Sequence, residues 1–149
     1  MSKNIKYLVI HNTATPEGRA ITSDDIRRIH CSPKEQDGNG WPEVGFTDLI
    51  HLNGKIERLV KKSDDAYIDG FEQMDARHIA FVGGIARNGR TPKDTRTPEQ
   101  LIALSSFVKK FNSKYPDVKI IGYNQAFDFE AWLKTILPEV SENELSVNQ

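Results

Sequence analysis

At 149 residues the chain has the length of one domain, enough to bury about two-thirds of its unfolded surface. Its 38% hydrophobic and 28% charged composition excludes a disordered chain, and a net charge of −1 excludes general attraction to nucleic acid or an anionic membrane. No apolar run approaches the roughly 20 residues of a membrane span, and Cys31, the only cysteine, leaves no partner for an internal disulfide.

Residues 1–6 lead straight into an apolar run with no charged-then-apolar leader. The expectation is a cytoplasmic protein, unless lysis or a dedicated secretion device releases it. Lys6-Tyr7-Leu8-Val9-Ile10 reads as a buried strand ending at His11. Residues 12–18 are polar and broken by Pro16 and Gly18, hence a loop. Thr22 or Ser23 caps a helix with Asp24 and Asp25 in its first turn, running through Ile26 and Ile29 to about His30. A Gly/Pro-rich loop follows over residues 32–42.

Residues 44–52 read as a strand, Asn53-Gly54 as a hairpin turn, and residues 55–60 as the returning partner. Alternation sets His51 on the opposite face from Phe46, Asp48 and Ile50. Residues 61–77 are acidic and irregular, an expected surface loop. His78 begins a strand that Gly83-Gly84 stops, and residues 86–96 form a polar loop. Thr97-Pro98-Glu99-Gln100 has the form of a capping box with proline at the first helical position. Leu101, Leu104, Val108 and Phe111 then follow at helical spacing. Residues 119–122 form a short strand, and Asp128 caps a last helix carrying Trp132, Leu133 and Ile136. Strands alternating with helices, interrupted by one hairpin, predict a single α/β domain with a mixed central sheet over residues 1–138 and a polar, acidic tail over 139–149.

Six of these segments, in this order, resemble the zinc-dependent N-acetylmuramoyl-L-alanine amidases, a family that includes T7-type lysozymes and peptidoglycan recognition proteins. They are Leu8-Val9-Ile10-His11-Asn12-Thr13-Ala14-Thr15, then Ile26-Arg27-Arg28-Ile29-His30, then Gly40-Trp41-Pro42-Glu43-Val44-Gly45-Phe46. The hairpin around Asn53-Gly54, the strand Ala80-Phe81-Val82-Gly83-Gly84 and the capped helix from Thr97 complete the set.

The resemblance implies cleavage of the amide between N-acetylmuramic acid and L-alanine, with zinc as cofactor. Three protein ligands hold such a metal and leave a fourth position for water. Carried over residue by residue, His11 matches the first ligand. The second ligand position, after Gly122, is Tyr123. The loop that brings the third ligand and a lysine is missing, because Ala126 runs directly into Phe127-Asp128. The family tyrosine is Phe46, which lacks the hydroxyl. A lone imidazole does not fill a zinc site, and Asn124 offers only a neutral carbonyl.

The expectation is therefore a degenerate member with no cofactor and no catalytic set, in which His11, Phe46 and Tyr123 are vestiges. His11, Asn12, Phe46, Tyr123 and Asn124 are the expected cleft residues, and a peptidoglycan fragment or a protein the expected partner. An active amidase with replacement ligands and a structural or regulatory phage or bacterial component are the alternatives. His30 is expected to be structural, and neither His51 nor His78 shows metal-ligand spacing with His11. Trp41 and Trp132 are expected in the core or cleft wall, and Cys31 as an inert thiol.

Overall fold

The computed structural model describes residues 5–61, 67–68 and 75–137. The first strand, β1, is Tyr7–Asn12 and carries His11 within it rather than beyond its end. A two-residue strand, β2, is Thr15–Pro16, and the first helix, α1, is Ser23–Cys31. The hairpin consists of β3, Asp48–Ile50, and β4, Ile56–Arg58. Then come β5, Ala76–Phe81; β6, Gly84–Ile85; α2, Pro98–Lys114; β7, Lys119–Gly122; and α3, Phe129–Ile136.

Five strands form one sheet in the order β4-β3-β5-β1-β7, and β2 pairs with β6 in a small second sheet. β5 and β7 flank β1 in parallel, β3 is parallel to β5, and β4 alone is antiparallel. A largely parallel sheet must be covered on both faces, and two apolar clusters do this. On one face Leu8, Ile10, Ile79 and Phe81 pack against Leu104, Val108 and Phe111 of α2 and Leu133 of α3. On the other, Leu49, Ala80 and Val82 pack with Phe46 and with Ile26 of α1.

The helix starts follow the sequence signals. Thr22 and Asp25 form a reciprocal capping box on α1, Thr97 and Gln100 another on α2, and the Asp128 side chain accepts from Ala131 N on α3. Each side-chain acceptor satisfies a backbone donor the helix itself leaves unpaired.

Several expectations need correcting. The strand expected at 44–52 is only Asp48–Ile50, and the backbone before it is irregular although buried. Strict alternation therefore fails: Phe46 joins the cluster beneath α1 while Ile50 joins the one beneath α2. The β5 strand starts at Ala76, so the end of the expected 61–77 loop is strand, paired along β1. Residues 62–66 and 69–74 of that loop, and the 139–149 tail, lie outside the described residues. Both the 12–18 loop and Gly84 contribute to the β2–β6 sheet. Ile29 is 39% exposed, and α1 buries Ile26 and His30 instead. In α2 the buried member of the first turn is Gln100, not Leu101; its amide donates to Ile50 O and Val82 O.

Candidate functional site

Along β1, Leu8 and Ile10 enter the core under α2 and α3, so alternation turns His11 to the opposite side, at the carboxyl end of the parallel strands. Open α/β sheets present their ligand crevices at that end. A pocket of about 380 Å³ opens there. Its walls include all five expected cleft residues, His11, Asn12, Phe46, Tyr123 and Asn124, together with Thr13, His30 and Trp41. None of the described residues lining it is Asp, Glu, Lys or Arg.

The His11 ring is the hub of this pocket. Phe46 and Tyr123 lie 5.3 Å from it, centroid to centroid, and His78 lies 5.1 Å away. His11 Nε2 and His78 Nδ1 are 2.9 Å apart, a hydrogen bond in which one imidazole donates and the other accepts. The β1–β5 register produces it: Val9 faces His78 and His11 faces Ala80, so the two imidazoles project from the same face one step apart. The two histidines thus meet as hydrogen-bond partners, although their spacing in the sequence is not that of metal ligands. Alternation alone places each histidine on that face, but the strand register that brings them together is not visible in the sequence.

Around the hub, His30 packs between Trp41, tilted against it, and Phe46, edge to face, with ring centroids 4.9 Å from each. Its Nδ1 accepts from Gly45 N–H at 2.9 Å. Burial holds all three imidazoles neutral. His11 is pushed down to about 3 by desolvation, then by His78 and His30, while His30 and His78 are each pushed down to about 4 by desolvation.

Asn12 ties the rim together. Its Nδ2 donates to Asn124 O at 3.1 Å, and its Oδ1 accepts from Ala14 N at 2.9 Å. Ala14 and Asn124 both have positive φ, at 54° and 55°. Only a few per cent of non-glycine residues adopt that region, so the side-chain clamp holds a backbone shape that costs energy. His51 lies away from this cluster, 2.9 Å from Glu57 across the hairpin. Trp41 is a cleft wall as expected, whereas Trp132 packs beside the α2–α3 core. Half-buried Cys31 has its thiol pushed up by desolvation, which disfavours the reactive thiolate.

The geometry of this fold matches solved structures. A Clostridium intestinale endolysin, the N-acetylmuramoyl-L-alanine amidase LysCS, superposes with a TM-score of 0.66 at 21% identity, covering 89% of this chain and 84% of its own. The Ph2119 endolysin of a Thermus scotoductus bacteriophage gives 0.64 at 19%, covering 90% and 86%. Drosophila PGRP-LB, a peptidoglycan recognition protein, gives 0.60 at 19%, covering 90% and 82%. The chain has the fold of these amidases and recognition proteins. No protein-family model and no curated protein sequence matches it.

Zinc is the metal the sequence resemblance implies, and it calls for at least three converging donors. Among the described residues no three His, Cys, Asp or Glu side chains converge in this way. His11 Nε2 is engaged with His78, and Tyr123 and Asn124 bring a phenol and an amide to the positions beyond Gly122. A phenol, with an ordinary pKa of about 10, binds metal well only after losing its proton. The described donor set does not fit a tetrahedral zinc.

Proposed function

We propose that this cleft binds peptidoglycan fragments without metal and without hydrolysing them, as a pseudoenzyme on the amidase scaffold. The observation that carries the reading is the chemistry of the walls: neutral imidazoles, aromatic rings and amides, with no formal charge among the described lining residues. Trp41, Phe46 and Tyr123 offer flat apolar faces for a sugar ring. The exposed Asn124 side chain offers hydrogen bonds to N-acetyl and peptide groups, the kind of polar group that orients a ligand in a mostly apolar site.

Hydrolysis of the muramoyl amide needs an activated water and donors for the developing oxyanion. Phe46 has no hydroxyl to donate, and among the described residues no three donors converge around His11. His11, Phe46 and Tyr123 are then vestiges of the amidase machinery, retained as cleft walls.

Metal content of the purified protein, measured after dialysis together with its action on purified peptidoglycan, tests this. The expected result is substoichiometric zinc and no new muramic acid termini. One zinc per chain with release of peptide would overturn it. Tyr123→His alone is expected to remain inactive, because one further imidazole still leaves the set short of a third ligand; turnover by that variant would show a more complete site.

A further inference from the structure

We propose that Arg96, outside the cleft, is the positioning residue that holds its Tyr123–Asn124 wall in place. The inference rests on the cleft being the binding site. The wall belongs to a turn, residues 123–127, between β7 and α3. Tyr123 N donates to Ile10 O at 2.9 Å, but among the described residues no backbone N–H of 124–127 donates to another backbone carbonyl. Side chains therefore fix the turn. Asn12 and Gln125 do so from the β1 side, with Gln125 Nε2 donating to Ile10 O at 2.8 Å.

Arg96 supports it from the other side. Its guanidinium lies 3.5 Å from the centroid of Phe127 and 5.2 Å from that of Trp132, within cation–π range of both. The same guanidinium is bidentate on Asp94, Nε to Oδ1 at 2.8 Å and Nη2 to Oδ2 at 3.0 Å, which anchors it to the segment leading into α2. The Arg96 side chain is only 6% exposed. Its Nη1 is buried and has no hydrogen-bond partner among the described residues.

That last feature separates positioning from stability. A buried, unpartnered donor on a charged group is unfavourable, so an apolar side chain of similar length is tolerated here on energetic grounds. Asp94, 40% exposed, stays solvated when its partner is removed. What an apolar replacement cannot supply is the cation over Phe127, held in place by the fork to Asp94.

The test is Arg96→Met, with Arg96→Lys beside it, read by amide hydrogen exchange and by muramyl dipeptide titration. Arg96→Met is expected to show a Tm close to that of the parent, exchange at residues 123–127 accelerated while α2 is unchanged, and muramyl dipeptide bound about tenfold more weakly, as follows when a binding wall loses its preorganisation. Arg96→Lys, which keeps a cation over Phe127 and loses the fork, is expected to fall between the two, and it carries the test should the methionine variant fail to fold. Parent-like exchange at 123–127 and parent-like affinity in the variant that folds would overturn the proposal. Failure of the parent itself to bind the dipeptide would count against the cleft reading, while the exchange result still judges the role of Arg96.

Discussion

His11, His30 and His78 are among the most buried polar residues in the protein, and their neutrality ties stability to pH. In the unfolded chain each titrates near 6.5; in the fold burial pushes them down to about 3, 4 and 4. The unfolded state therefore binds more protons as pH falls. Their contribution is fully present above about pH 6.5 and is lost as pH drops toward 4, at up to about 1.4 kcal/mol per pH unit for each histidine. Thermal unfolding followed from pH 7.5 to 4.5 is expected to give a steep fall in Tm below pH 6.5. The triple variant replacing these histidines with glutamine is expected to flatten it, and a parent profile already flat over that range would contradict the burial argument. His78→Ala removes the hydrogen-bond partner of His11 and opens its surroundings, so the His11 pKa is expected to rise by NMR titration. An unchanged His11 pKa would show that His78 does not shield it.

At the scale of elements, the hairpin and α2 are fastened to each other. Thr97 Oγ1 donates to Leu52 O at 2.7 Å while its capping box closes the first turn of α2. Thr97→Ala is expected to cost about 1–2 kcal/mol in chemical denaturation, from the lost cap together with an unpaired carbonyl. Gly54 has φ +87°, and a Cβ there would sit 2.7 Å from Glu99 O. Gly54→Ala is expected to cost about 1–3 kcal/mol, since both the backbone conformation and a backbone contact forbid the methyl. A loss below about 0.5 kcal/mol, the scale of an ordinary surface change, would mean the turn relaxes freely. These elements were readable because their signals are local: a cap, a proline at the first helical position, Asn-Gly in a turn. The short β3 was not readable. Residues 44–47 are as apolar and buried as a strand, but Thr47 N and O bond to His78 O and Leu59 N across an irregular backbone, so Phe46 turns away from Ile50. The β2–β6 pairing and the His11–His78 contact depend on register between segments some 70 residues apart, which no local pattern encodes.

For the whole molecule, the sheet is a partition. The α2–α3 side is an apolar core, and the other side is filled by α1 until, at the carboxyl ends of β1 and β7, the filling stops and the pocket opens. The ordered set of local segments made the amidase architecture legible from the sequence, and solved structures share that fold. The chemistry of the site was legible mainly as substitutions, Phe46 and Tyr123 where the resemblance calls for tyrosine and histidine, while the partners that seat those residues came only with the fold. Calorimetric titration of muropeptide into chelator-treated protein, repeated after adding zinc, bears most directly on the account. Saturable binding of equal affinity in both states, with no hydrolysis, is the predicted result. Absence of heat in both, or binding and cleavage that appear only with zinc, would contradict it.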